Sequence, residues 1–308
     1  MKILIAGFGS IGRRHFRNLI ALGEHDILFY RTNQSQLETE ELKGFIVETD
    51  LHKALSHQPQ AVIISNPTAL HLEVAIPAAE MGCHIFMEKP VSHSMQGIDD
   101  LQKALQRGGG QFVTGFQFRF HPGLQTIFDL LKQGAVGRVI SAHAHWGEYL
   151  PGWHPWEDYR IGYSARADLG GGVVLTLCHP IDYLRWLIGE VNQVSGLTAR
   201  LSHLELSVED TAIISLRFNN GAIGSVYLDY IQKPASHYLN IIGEKGEIHW
   251  NNANGSVRIY RQEIDEWKTI SPPENFERND LFIHQMRHFK NVIHGKEQPI
   301  CNFNDGVR

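Results

Sequence analysis

The sequence predicts an α/β chain in two parts: a doubly wound parallel sheet, followed by an α/β region whose sheet is mostly antiparallel. Three observations carry this. Residues 2–12 read KILIAGFGSIG, an apolar strand running into glycines at 7, 9 and 12. Strand-like and helix-like segments then alternate to about residue 120. Beyond that point the later strand-like runs are separated by Asn219-Asn220-Gly221, Gly243-Glu244-Lys245-Gly246 and Asn254-Gly255, the turn signals of hairpins.

The first strand must end in a turn too tight for a side chain, which accounts for Gly7. Gly9 lets the backbone approach a pyrophosphate, and Gly12 lets the next helix pack closely on the strand. That helix, expected over about 11–22, aims its unpaired N–H groups and positive dipole end at the phosphates. Gly7, Gly9, Ser10, Ile11 and Gly12 are therefore candidate cofactor contacts, and the segment opens a Rossmann dinucleotide-binding domain. The second strand, DILFY at 26–30, ends in Tyr30-Arg31-Thr32-Asn33. An NAD-binding chain usually places Asp or Glu there against the adenine ribose. Here no carboxylate is available, and the donor fork of Arg31, with Thr32 beside it, suits a 2′-phosphate. NADP is the preferred cofactor; NAD stays open, since Arg31 can also stack on adenine or be solvated.

Further strands are expected at 45–48, 61–65, 84–87 and 111–116, with helices between most of them. In such a sheet the dinucleotide lies outside the carboxyl ends of the strands, where the strand order reverses. Two of those ends are distinctive: Ser65-Asn66-Pro67-Thr68 with His71, and Met87-Glu88-Lys89-Pro90. Both are expected to line the cofactor cleft. Gln117 and Arg119 follow the last strand, near the expected hinge, as candidate contacts to nicotinamide and substrate. From about residue 122 a helix (123–133), a strand (138–147), an aromatic loop (149–160) and a helix (180–188) precede long strands at 192–203, 208–218 and 222–231.

A chain of 308 residues is comfortable for two domains, and 43% hydrophobic with 20% charged residues describes an ordinary soluble protein. The net charge of −5 offers no basic footprint, so nucleic acid is not an expected partner. No apolar run approaches the ~18 residues of a membrane span. Three scattered cysteines, Cys83, Cys178 and Cys301, suit a reducing cytoplasm. His143 and His145 share one face of a strand, but nothing nearby completes a ligand set, so no metal is expected. The final residues, 301–308, read as the start of a helix capped by Asn304 or Asp305, as though the chain stopped short of its natural end.

Several motifs fall in one order: GFGSIG at 7–12, NPTALH at 66–71, EKP at 88–90, FRFHP at 118–122, WHPWEDYR at 153–160 and LGGGVVLTLCHPIDYLRWLIG at 169–189. Together they resemble the glucose–fructose oxidoreductase / inositol dehydrogenase (Gfo/Idh/MocA) family over nearly the whole chain. The resemblance implies an NAD(P)-binding Rossmann domain over 1–120 and a substrate-binding α/β domain over 121–308. The second domain's open, mostly antiparallel sheet would serve as the interface of a homodimer or homotetramer. It also implies NAD(P)-dependent oxidation of a secondary alcohol on a sugar, cyclitol or nucleotide sugar, or the reverse reduction. Many members carry a helix after the last strand that returns to the first domain; none is read here.

Removing hydride from a secondary alcohol needs a group that takes the hydroxyl proton and steadies the oxyanion. The lysine of EKP has this role in the family, and Lys89 matches it, with Glu88 orienting Lys89 or the cofactor amide. The family pattern after the glycines is an Asp and then a His that share the proton relay. Here Thr176 stands at the Asp position, which is a departure, and His179 matches the His. Asp182 is a possible orienter of that imidazole. An alternative places His179 at the N-cap of a helix, Pro180 at its first position and Asp182 in its acidic first turn.

In the aromatic loop, Trp153, His154, Tyr159 and Arg160 mix flat surfaces with donors, as a sugar site requires. Three functions are in play: a cytoplasmic NADP-preferring sugar dehydrogenase, a reductase of a non-sugar (biliverdin-like) substrate, and a non-catalytic NADP-binding sensor. Keeping both Lys89 and His179 favours an enzyme.

Overall fold

The computed structural model describes residues 1–32 and 40–308; Asn33, read above beside Arg31, lies outside them. Contacts divide the chain into two compact units. The first holds Met1–Gln117, Asp168–Gly170 and Arg278–Arg308, and the second Phe118–Ala167 and Gly171–Glu277. The change of unit after Gln117 falls near the expected boundary at 120, but the last 31 residues (278–308) go with the first unit and not the second.

The first unit begins β1 (Ile3–Ala6), α1 (Ser10–Ala21), β2 (Ile27–Tyr30), β3 (Ile46–Glu48) and α2 (Leu51–Ser56). It continues β4 (Ala61–Ile64), α3 (His71–Glu80), β5 (His84–Met87), α4 (Ile98–Gly108) and β6 (Phe112–Thr114). The strands pair in the order β3-β2-β1-β4-β5-β6 and every pair is parallel. The order reverses between β1 and β4, the crevice where such sheets bind ligands. All four residues of β1 and of β4 are fully buried, as strands covered on both faces must be.

The second unit contains α5 (Pro122–Lys132), β7 (Val139–Gly147), α6 (Val173–Thr176) and α7 (His179–Ile188). There follow β8 (Val191–Ala199), β9 (Thr211–Phe218), β10 (Ile223–Asp229), β11 (Ser236–Gly243), β12 (Gly246–Asn251), β13 (Val257–Arg261) and β14 (Glu266–Ile270). Its sheet runs β14-β13-β12-β11-β7-β10-β9-β8. Only the β7–β10 pair is parallel, so the sheet is mixed but mostly antiparallel, as the turn signals required. Strand β9 alternates buried and exposed residues, the mark of one packed face. Helices α5, α6 and α7 pack on that sheet over a core that includes Tyr183, Phe218 and Trp250.

The chain then returns to the first unit through α8 (Arg278–Ile293) and α9 (Phe303–Val307). The sequence reading had no helix over 278–293, although Leu281, Phe282, Met286, Phe289 and Val292 recur at helical spacing and are buried. Phe289 meets Phe86 edge-on at 5.6 Å, and Lys290 donates to the carbonyl of Leu22 at 2.9 Å. A returning helix is therefore present. The cap of α9 is Asn302, not Asn304 or Asp305. Asn302 and Asp305 form a reciprocal capping box at 3.0 Å each way. The preceding Cys301 carbonyl accepts from the Thr114 N–H at 2.9 Å, which covers part of the edge strand β6.

Candidate active site

Two glycines of the first turn, Gly7 and Gly12, have a visible steric reason. Gly7 has φ of +91°, and a Cβ there would lie 2.6 Å from the Asn66 nitrogen. A Cβ on Gly12 would lie 2.3 Å from the Gly7 carbonyl oxygen, so α1 packs against the turn as expected. At Gly9, by contrast, nothing lies within 4 Å of a Cβ position, and no side chain caps the helix it precedes. The N–H groups at the start of α1, around Ser10 and Ile11, thus face an open cradle suited to a phosphate. Ser65 ties the turn down, its hydroxyl lying 3.1 Å from the carbonyls of both Ala6 and Gly7.

Two loops flank this turn along the sheet edge. After β4, Asn66 donates through Nδ2 to the Leu70 carbonyl at 3.1 Å, and Pro67 opens a short helical turn over Thr68–Leu70. The imidazole of His71 is buried between the carbonyls of Pro90 (2.9 Å) and Asn66 (3.0 Å), bridging the loops after β5 and β4. Burial lowers its pKa, and the two carbonyls pull the other way. His71 therefore braces the cleft. Thr68 is buried beside the Gly170 backbone, also of the first unit.

After β5, Glu88 is buried, Lys89 is half-buried, and the Lys89–Pro90 peptide is cis. The Glu88 carboxylate accepts from His15 Nε2 at 2.6 Å, while its other oxygen lies 3.3 Å from the Lys89 amide nitrogen. A Cβ on Gly115 would come within 3.1 Å of that second oxygen, so a glycine leaves it room. The sequence reading missed His15. The available signal was its place one helical turn after Gly12, on the face that buries Phe16 and Leu19.

Following β6, the Gln285 side chain, with its oxygen turned to accept, takes the N–H groups of Phe116 and Gln117 at 3.2 Å each. Helix α8 thus holds the backbone of a cofactor candidate. The side-chain oxygens of Asn66 and Gln117 are buried and, among the described residues, have no hydrogen-bond partner. Unpartnered buried acceptors are costly, and the amide group of a nicotinamide carries the donors they lack. At the end of β2, Arg31 is 9% exposed and, among the described residues, makes no ion pair. Thr32 beside it is exposed. These residues fit a dinucleotide with its pyrophosphate on α1.

The second unit's candidates behave differently. His179 is the first residue of α7 and is buried, its ring edge-on to Phe118 at 4.9 Å and stacked on Trp146 at 5.7 Å. The N-cap is Cys178 and not His179, Pro180 is the second helical residue and not the first, and no side chain caps the turn; only Asp182 lies in the acidic first turn as expected. Asp182, expected as an orienter, is held in a buried bidentate pair with Arg119, at 2.7 and 3.1 Å. The same pair commits Arg119, expected at the substrate, and places its guanidinium over Trp186. Thr176 hydrogen-bonds Tyr230, whose hydroxyl also donates to the Ser164 carbonyl at 3.3 Å. With no titratable group, Thr176 serves packing here.

The aromatic loop packs largely on its own unit. Trp153 meets Tyr230 edge-on at 5.5 Å, and the Tyr159 hydroxyl accepts from the Glu205 N–H at 3.2 Å. Arg160 is exposed, with its guanidinium on Asp158 (2.7 Å) and Glu205 (3.2 Å), which raise its pKa. His154 lies against Trp156, which is 69% exposed. His145 stacks between Tyr227 and Tyr238, and His143 bonds Ser225 at 2.7 Å. Among the described residues no group of three or more potential ligands could hold a metal ion. No helix of the described residues is long and apolar enough to cross a membrane.

Comparison with known proteins agrees with this architecture. Residues 1–116 match the profile described as "Oxidoreductase family, NAD-binding Rossmann fold", and residues 124–249 the profile described as "GFO/IDH/MocA C-terminal domain". The chain is 28% identical over 204 residues to 2,7-anhydro-N-acetylneuraminate hydratase of Escherichia coli, covering 64% of this chain and 54% of that protein. It thus spans about half the length of that relative. It is 24% identical over 323 residues to myo-inositol 2-dehydrogenase of Thermotoga maritima, covering 99% of this chain and 92% of the other. A solved structure of levoglucosan dehydrogenase with NADH and levoglucosan superposes with a TM-score of 0.88 at 21% identity, over all of this chain and 93% of that one. At that identity the likeness shows the fold. The matched profiles, the parallel first sheet and the mixed second sheet agree: the chain belongs to the GFO/IDH/MocA family of oxidoreductases.

Proposed function

We propose that this protein transfers hydride between a nicotinamide dinucleotide, NADP in preference to NAD, and a secondary alcohol or ketone on a sugar, cyclitol or nucleotide sugar. The observation that carries the reading is the placement of Lys89. It follows β5, one strand from the Asn66 loop and two from the glycine turn, at the carboxyl edge of a parallel sheet. The name of one relative that covers nearly the whole chain, an inositol dehydrogenase, supports the substrate class.

When bound, the cofactor accepts the hydride of the carbinol carbon, or gives it in reverse. Neutral Lys89 takes the hydroxyl proton as the carbonyl forms, and the resulting ammonium steadies the oxygen. Asn66 and Gln117 hold the amide group through their unpartnered oxygens. Arg31 answers the 2′-phosphate with a guanidinium that makes no ion pair among the described residues. His179 is a substrate contact and proton relay, as an imidazole near neutral pH can be. His154 and Trp156 offer a donor and a flat face to a sugar.

The second unit's sheet exposes Leu197, Ile213 and Ile223 on its strands, and that face pairs with a second copy. The test follows absorbance at 340 nm with NADP⁺ and NAD⁺ against sugars, cyclitols and nucleotide sugars, beside Lys89→Ala. Because the first-named relative is a hydratase, products are analysed as well as cofactor turnover. We expect turnover that Lys89→Ala lowers about a thousandfold, within the range for general acid–base catalysis, while NADPH still binds. No conversion of any member of the panel would sink the reading.

A further inference from the structure

The Glu88 carboxylate is the end of a buried chain of contacts that starts on α1. His15 is fully buried, with its ring edge-on to Phe86 at 5.1 Å and Phe282 at 6.2 Å. Its Nε2 lies 2.6 Å from Glu88 Oε1, the length of a charge-assisted bond, and a carboxylate can only accept there. His15 Nδ1 is buried and has no partner among the described residues. The one bond the ring makes is therefore the one from Nε2 to Glu88. The carboxylate's other oxygen lies 3.3 Å from the Lys89 amide nitrogen, in the space Gly115 leaves by lacking a Cβ.

Packing alone does not require this arrangement. A leucine or phenylalanine would fill the His15 position between two phenyl rings at lower cost than a polar ring with one nitrogen unmatched. The buried imidazole is explained by the one bond it makes. We infer that His15 is a positioning residue for catalysis: it locks the Glu88 carboxylate, which in turn fixes the backbone from which Lys89 reaches the reacting oxygen. The inference rests on the proposed role of Lys89, and it adds a residue of the cofactor helix to the machinery.

The test uses His15→Phe, His15→Gln and Glu88→Gln in the whole chain. His15→Phe keeps the packing and loses the donor, whereas His15→Gln keeps a donor of similar reach. The Lys89 amide proton resonance, read by NMR on labelled protein, is expected to move in His15→Phe and in Glu88→Gln by similar amounts, and to return toward wild type in His15→Gln. In the same variants kcat falls on the order of tenfold, the cost of a small misplacement of a catalytic group, while KM for the cofactor and NADPH affinity stay within about twofold. Partial recovery of kcat in His15→Gln completes the pattern.

An unmoved Lys89 amide in His15→Phe, or an unchanged kcat, overturns the inference. So does a loss of NADPH affinity in proportion to kcat, which would mark His15 as part of the cofactor cradle's packing. If His15→Phe fails to fold, Glu88→Gln and His15→Gln read the same bond from both ends. Should the wild-type chain turn over no substrate, the proposed function fails separately, and the amide resonance still decides whether His15 governs the Lys89 backbone.

Discussion

The site candidates of the two units are partnered differently, although both units leave some buried polar atoms unmatched, among them His15 Nδ1 in the first and Trp250 Nε1 in the second. In the first, the loops after β4 and β6 carry buried side-chain oxygens, of Asn66 and Gln117, that no group among the described residues answers, and Arg31 after β2 makes no ion pair among the described residues. In the second, several candidates are answered by protein groups: buried Arg119 by Asp182, buried Thr176 by Tyr230, and exposed Arg160 by Asp158 and Glu205. A buried polar group left unmatched costs stability, and under the proposed function the bound dinucleotide answers the set at the first sheet's edge. A matched set marks where the fold is held. Asn66, Gln117 and Arg31 should therefore control binding, and Arg119, Asp182 and Thr176 should control stability.

Arg119 and Asp182 test that contrast hardest. Their side chains are 4% and 2% exposed. Asp182→Ala leaves a guanidinium buried beside a hole, and the expected loss is about 3–5 kcal/mol in denaturant unfolding. Replacing both, Arg119→Met with Asp182→Leu, removes the stranded charge and should recover most of that loss. Substrate KM should stay unchanged in the double variant. If instead the single variants keep their stability and raise KM, Arg119 faces substrate as the sequence suggested, and the contrast between the units fails.

How far the sequence could be read follows the same line. The glycine turn, the strand alternation and the loops after β4 and β5 were legible because each depends on neighbours within a few residues. Tight turns demand glycine locally, and parallel βα units repeat on a short period. Arg119 and Asp182 are 63 residues apart, and Thr176 and Tyr230 are 54 apart, so their pairing exists only after the sheet has formed. His15 and Glu88, 73 apart, escaped for the same reason. Helix α8 is a different kind of miss. Its apolar spacing was present in the sequence, and only its return to the first unit required the fold.

The second unit also carries a titration that sharpens the comparison. Burial pushes the His121 imidazole down to about 4 from an ordinary 6.5. Its Nδ1 accepts the Gly123 N–H at 3.0 Å and caps α5, which needs the neutral ring. Below pH 6.5 the unfolded chain takes up a proton that the folded chain refuses, so stability is full above that pH and falls as pH drops toward 4. At 1.36 kcal/mol per pH unit the loss over this window is about 3 kcal/mol. Denaturation at pH 7 and pH 4.5 should show it. His121→Asn keeps a capping oxygen without the titration, and is expected to flatten the slope while the kinetics at neutral pH stay as in wild type.

The smallest effect belongs to Arg31, and it tests the first unit's half of the contrast. A guanidinium after β2 with no ion pair among the described residues should take its partner from the ligand, and the 2′-phosphate is the group that distinguishes the two cofactors. Losing a hydrogen bond to a charged group costs about 1.5–3 kcal/mol, so Arg31→Ala should lower kcat/KM for NADP⁺ by roughly ten- to a hundredfold. The value for NAD⁺ should change less than twofold. Measured as a ratio, this is independent of enzyme concentration and of any partial misfolding, because both cofactors report on the same active molecules. Equal losses for both would mean that Arg31 acts on the shared adenine, and the preference for NADP would lose its support. An unchanged ratio with full activity would mean that solvent, not ligand, answers the guanidinium, and that an unpaired cation in this unit does not by itself mark a binding site.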